Sequence, residues 1–439
     1  MGGRLRLAGR AARGRRVIVV AGAALVIAVA GLCVAALLSG GGPPAGPGRT
    51  SPAARGGSAP VRYGTLDTGP PTAAAEARAG VSAAMFEFNW ASFEPGNGQF
   101  SASYLAMMRS YLHAYRAAGM RVTLGLGLEN PPPWVFALPD STFADQSGQV
   151  SAEADFVFSR AVRDAAAVFL RKIAASFPLE DFWAIRLTSG GDPEMLYPGG
   201  GFWAFSHSAL TGDGLPAGMT PNPFPRWRPG RPGLTRAQIG QWVNWYVGGL
   251  DNVTAWQMQT LTGLGFTGYY QTVTPGSGTR PDRLADDEQA NLPPDPTTEV
   301  GAVWDRYYAM LPTKTNVVAY ISSVADGSGG QDSCQPGDTS LPLTSRAMDT
   351  WSASRWISRI ARQYGLLTGG ENPGFGIPAL DREYVNRSSS GMMADAIRQA
   401  RSCGFQVFYW AHDVHLWDGT VPFSVYASMI AWRAGGGSG

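Results

Sequence analysis

Between Arg62 and Trp410, short apolar runs rich in β-branched and aromatic residues alternate eight times with longer amphipathic stretches. That alternation leaves few ways to bury the chain's apolar surface, because strands joined by helices run parallel and must be covered on both faces. The strand-like runs lie near 62–66, 83–89, 121–128, 183–188, 265–272, 316–322, 366–370 and 406–410. Helical patterns follow at 72–79, 103–118, 154–176, 235–261, 297–310, 349–364, 390–401 and 423–433, with Gly119, Gly263, Gly365 and Gly404 placed as helix stops. Eight such units predict a single (β/α)8 TIM barrel over residues 61–434, with 435–439 as a flexible tail.

The N-terminus has another character. From Val17 to Leu38 no charge interrupts the apolar run, and a helix of about 20 residues spans a bilayer. Arg4, Arg6, Arg10, Arg13, Arg15 and Arg16 precede it and place the N-terminus in the cytoplasm. The run is longer than the ~7 to 15 apolar residues of a cleaved signal peptide, so we expect a membrane anchor at 17–38 behind a basic cytoplasmic segment, 1–16. Residues 39–60, mostly Gly, Pro, Ala and Ser, read as a disordered linker. The expected location is the cell membrane, single-pass, with the barrel outside the cytoplasm, or secreted if the segment is cleaved. Taking the six arginines from the formal net charge of +2 leaves −4, which argues against nucleic acid as a partner.

Long irregular stretches, 192–233, 275–296 and 325–345, follow strand ends, at the face where barrels build their active sites. This placement sets Cys334 at the mouth and Cys403, at the end of a helix, at the opposite face. An even pair of cysteines outside the membrane suggests a disulfide, but a bridge needs Cα atoms within ~7 Å, so this topology argues against one.

The stretch from Met85 to Gly148 contains Glu87-Phe88-Asn89-Trp90, then Glu94-Pro95 to Gly98, then Pro131-Pro132-Pro133-Trp134. This succession resembles the second and third βα units of family 42 glycoside hydrolases, the β-galactosidase-like branch of the retaining barrel glycosidases. The resemblance implies a pair of carboxylates at the ends of strands four and seven, and sugar contacts on the neighbouring strand ends. Strand four runs into Asp192-Pro193-Glu194, where Pro193 stands in place of the clan's usual Asn. Glu194-x-x-Tyr197-Pro198 also resembles the acid-bearing turn of β-amylases. Strand seven ends in Glu371-Asn372-Pro373-Gly374, which resembles the family's nucleophile turn. Glu194 is therefore the expected acid/base, with Asp192 as fallback, and Glu371 the expected nucleophile.

Glycosidic cleavage uses one carboxyl to protonate the leaving oxygen and another to attack or to activate water. Around that pair, Glu87, Trp90, Glu129, Asn130, Tyr197, Gln271, Tyr320, Asn372, Trp410 and His412 are expected substrate contacts, with Trp410 flooring the sugar subsite. Trp90 and Glu94 have a plainer alternative, in which the indole packs beneath the next loop and the carboxylate caps a turn. His412 and His415 lack a third ligand at suitable spacing, so neither a metal nor a cofactor is expected. Phosphate-binding glycine loops, a nucleophile-elbow serine and zinc-binding cysteine spacing are all missing from the sequence. The expected partner is an oligo- or polysaccharide, met by a monomer held to the membrane by its N-terminal helix. The competing reading is a catalytically inactive, surface-tethered carbohydrate-binding barrel.

Overall fold

In the computed structural model the eight runs pair in parallel, in chain order, into a closed barrel. The structure describes residues 60–431 except 68, 191–192, 312–314 and 331. The anchor, basic segment, tail and nearly all of the linker lie outside those residues, as does Asp192. Among the described residues no helix is long and apolar enough to cross a membrane.

The barrel strands are β1 (Arg62–Thr65), β2 (Ala83–Glu87), β3 (Arg121–Gly125), β4 (Ala184–Leu187), β5 (Tyr269–Thr274), β6 (Val317–Ile321), β7 (Leu367–Glu371) and β8 (Val407–Trp410). Their helices are α1 (Pro70–Arg78), α2 (Ala102–Ala117), α3 (Arg160–Ser176), α4 (Arg236–Gly263), α5 (Trp304–Met310), α6 (Ala353–Gln363), α7 (Met392–Cys403) and α8 (Phe423–Ala431). Side-chain oxygens cap several helix starts: Ser101, Ser159 and Ser352 each accept a backbone N–H, and Thr235 forms a capping box with Gln238. At the end of α7, Gly404 takes φ 67°, which a side chain would resist. The stop expected at Gly263 falls two residues later, at Gly265 with φ 100°.

Strand alternation sorts side chains between two cores. Ala83, Val273, Tyr320, Val407 and Tyr409 meet inside the barrel, where Tyr409 Oη lies 2.8 Å from Thr123 Oγ1. Gly64 is bare because a Cβ there would overlap the Tyr409 ring. The alternate positions pack outward against the helices in a larger cluster.

Three segments depart from the expected pattern. The helix expected at 154–176 begins only at Arg160, and Val150–Ala154, ending where it was to start, pair with Thr142–Ala144 as a hairpin. The stretch expected as loop at 275–296 contains a helix, Pro281–Gln289. The helix expected at 297–310 is interrupted at Gly301 (φ 76°), leaving Pro296–Glu299 and α5.

The cysteine expectation is overturned: Cys334 and Cys403 form a disulfide, with Cα atoms 4.9 Å apart. The loop after β6 does not stay at the mouth but lies along the outside of α6 and α7. Ser352 Oγ, at the top of α6, donates to the carbonyl of Asp332 (3.2 Å), while Cys334 N donates to Ser402 Oγ (3.2 Å) at the end of α7. Arg355 of α6 grips Asp338 through Nε and Nη2 (3.0 and 2.7 Å), and Arg359, one turn on, holds the Leu341 carbonyl. Asp332 and Cys334 are two residues apart, a reach of about 7 Å, so the end of α7 that carries Ser402 and Cys403 lies near the start of α6.

Candidate active site

The mouth is built from inward positions at the C-terminal strand ends. Glu371 closes β7, and both of its oxygens are engaged: Arg186 Nη2 of β4 donates to Oε1 (3.0 Å), and Tyr320 Oη of β6 donates to Oε2 (2.7 Å). Burial works against the charge on Arg186, but Glu371, Tyr320 and Glu87 outweigh it and hold the guanidinium firmly cationic. Burial, then the charge of Glu371, pushes the Tyr320 hydroxyl well above its ordinary range, so it stays a donor. Glu371 is therefore fixed in orientation by two buried groups.

Glu194 comes from the turn after β4. That turn is tied back by Ser189 N to the Glu194 carbonyl (3.0 Å) and continues through Met195 N to the Val273 carbonyl (2.7 Å) at the end of β5. The Glu194 carboxylate accepts from Ser322 Oγ. Ser322 follows Tyr320 by two residues and so projects to the same side of β6, roughly 6 to 7 Å nearer the mouth. The two glutamates thus meet β6 at successive inward positions, Glu371 below and the partly exposed Glu194 above.

A second carboxyl group of residues sits across the mouth. Burial raises the pKa of Glu87 at the end of β2, with Arg186 opposing the shift. Burial and the charge of Glu87 raise Glu129, after β3, well above the usual carboxylate range. Glu129 Oε2 is buried with no donor facing it. The charge of Glu87 thus favours the protonated form of Glu129. Asp67, just past β1, is likewise raised by burial, with His412 opposing. Its backbone N–H donates to Asp413 Oδ1, and the ring of His412 lies against Gly374, where a Cβ would collide with it.

Asp413 is pushed up to about 8 by burial and then by the charge of Asp67. An acid whose folded pKa lies above its unfolded value holds an extra proton when folded, so its stabilising contribution is full below pH ~4 and fades as pH rises toward 8. One such group gives a slope of about 1.4 kcal/mol per pH unit at most. We expect Asp413→Asn, which keeps an oxygen for the Asp67 N–H, to lose less stability than the native chain between pH 5 and 8. Melting curves across that range check it, and parallel pH profiles would refute it.

Of the expected contacts, Glu194, Glu371, Glu87, Glu129, Tyr320 and His412 gather at the mouth. Others do not. Trp90 is wholly buried, its ring 5.3 Å from Phe169, and its Nε1 donates to Glu94 Oε2 (2.9 Å) while Gly98 N donates to Glu94 Oε1 (2.9 Å). The plainer alternative for that pair is the one observed. Tyr197 stacks on Tyr246 at 4.0 Å inside the outer core, its hydroxyl donating to the Tyr246 carbonyl. Trp410 follows the inward Tyr409 and so points outward, packing against Tyr384 and Tyr426. Asn372 is buried as a brace, accepting from Ala411 N (2.8 Å) and donating to the Pro373 carbonyl. Gln271 points inward but is fully buried, two residues deeper than Val273 of the interior cluster. Asn130 is exposed, its backbone bonded to Gly127 and Ala91 and its Nδ2 3.4 Å from Glu129 Oε1.

Arg186, Ser322 and Asp67 were missed. Arg186 alone left a signal: a charged residue inside an otherwise apolar strand, Ala184–Leu187, needs a buried partner.

No family model matches this chain, and no curated protein sequence does either. Solved structures do resemble it. A polyextremophilic β-galactosidase from the Antarctic haloarchaeon Halorubrum lacusprofundi aligns with TM-score 0.50 at 13% identity, covering 84% of this chain and 57% of that one. A β-galactosidase from the psychrophilic Marinomonas ef1 aligns at 0.46 and 12%, covering 80% and 54%. A GH5-4 broad-specificity endoglucanase from an uncultured bacterium aligns at 0.44 and 14%, covering 84% and 85%. The chain spans little more than half the length of the two β-galactosidases. At such identities the likeness establishes the (β/α)8 barrel fold, without the finer assignment to family 42.

Proposed function

We propose that this protein is an extracytoplasmic glycoside hydrolase that cleaves O-glycosidic bonds with retention, Glu371 being the nucleophile and Glu194 the acid/base. The observation that carries the reading is the double anchoring of Glu371 by Arg186 and Tyr320, with Glu194 held above it by Ser322, two residues beyond Tyr320. A carboxylate so held can attack an anomeric carbon and form a glycosyl ester, while Glu194 gives its proton to the departing oxygen. Water then attacks the ester, returning a proton to Glu194 and freeing Glu371. Glu87, Glu129, Asp67 and His412 line the same mouth and bond sugar hydroxyls. Five carboxyl groups there against one guanidinium disfavour uronic acids, so the substrates are neutral or basic sugars, β-galactosides among them.

A second reading assigns the acid to Glu129, favoured by the environment that keeps it protonated. A panel of nitrophenyl glycosides tests the proposal, with the first-formed anomer identified by proton NMR. Turnover with retained configuration is expected for at least one neutral sugar, and the Glu129→Gln variant should keep most of it. Binding without turnover across the panel would favour the inactive binding barrel instead.

A further inference from the structure

The end of the barrel opposite the mouth has the reverse electrical character. Trp183 and Tyr269 stand at the bottoms of β4 and β5 with ring centroids 5.4 Å apart, and the Arg62 guanidinium lies 5.4 Å over Trp183. Trp183, Tyr269, Arg116 and Arg121 line a cavity of about 520 Å³, and a neighbouring cavity of about 440 Å³ is lined by Arg109 and His113. Arg109, Arg116 and Arg121 are exposed. The acids lining the first cavity are Glu180 and Asp181, and Asp181 is already paired with Arg116 (2.5 Å). Among the described residues no carboxylate pairs with Arg62 or Arg121. The barrel is thus polarised, acidic at the mouth and basic at the foot. The chain also enters the barrel at the foot, since β1 begins there with Arg62.

We propose that this foot is a docking surface for an anionic phospholipid bilayer. Guanidinium groups bind phosphate bidentately, and the Trp183–Tyr269 pair offers the mixed apolar and polar faces suited to a headgroup layer. Each basic residue at such a surface strengthens partitioning by about fivefold, and salt screens the effect. The proposal draws on the reading of 17–38 as a membrane segment only to explain how the chain meets a bilayer. With the foot on lipid, the mouth faces away, open to glycans.

Full-length protein in nanodiscs of phosphatidylcholine, with or without phosphatidylglycerol, tests it by hydrogen exchange. Peptides covering 109–121 and 180–183 should exchange about tenfold more slowly on anionic discs, and high salt should remove the difference. A variant with Arg109, Arg116 and Arg121 each changed to Gln should lose the protection while peptides around Glu371 exchange as before. Equal exchange on both lipids at low salt overturns the proposal, as does equal protection by soluble polyphosphate. Failure to enter discs of either lipid would count against the anchor alone. In that case flotation of the same full-length chain with anionic liposomes tests the foot: co-flotation supports docking and its absence overturns it.

Discussion

Glu371→Gln is expected to lower turnover of every glycoside by about four orders of magnitude or more, because no covalent intermediate can form without the attacking carboxylate. Glu194→Ala has a different signature, set by its separate task. Substrates with good leaving groups such as dinitrophenol need little protonation, so their first step should survive while poor leaving groups lose most of their rate. External azide should then restore turnover by entering the space vacated above Glu371, yielding a glycosyl azide of the substrate's own anomeric configuration. An inverted glycosyl azide from Glu194→Ala, together with a retained one from Glu371→Ala, would exchange the two roles. Unchanged activity in both variants would remove the site altogether. If instead Glu129→Gln shows the leaving-group dependence and Glu194→Ala does not, the acid is Glu129.

The disulfide gives the largest expected stability effect. Cys334 and Cys403 are 69 residues apart in sequence, and closing a loop of that length stabilises by about 4 kcal/mol in the chain-entropy model. For a domain of this size that corresponds to a melting shift on the order of 5 °C. Changing both cysteines to Ser, or reducing the native protein, should therefore lower the melting temperature by that amount and open the stretch 325–345 to proteolysis. The bridge pins this loop along α6, and Arg355 and Arg359 hold only part of it. An unchanged melting temperature, with the loop still resistant, would show that those two arginines suffice.

The barrel was legible before any tertiary contact, because eight alternations of strand and helix periodicity are a local property repeated along the chain, and parallel strands so joined have few other ways to bury both faces. Glu371 and Tyr320 were legible for the same reason: a residue at a strand's C-terminal end faces the mouth wherever the strand itself is correctly placed. What the sequence could not carry was direction and depth. Trp410 and Tyr409 are adjacent and both aromatic, and only the pairing register decides which points inward. Trp90 and Tyr197 have the composition of sugar platforms, but the loops that fold over them turn them into core. The partnership of Arg186 with Glu371 joins residues 185 apart in sequence, and the path of the loop after β6 depends on its bonds to α6 and to the end of α7. Those contacts join segments distant along the chain and exist only once the barrel has closed, so they were decided by the tertiary structure.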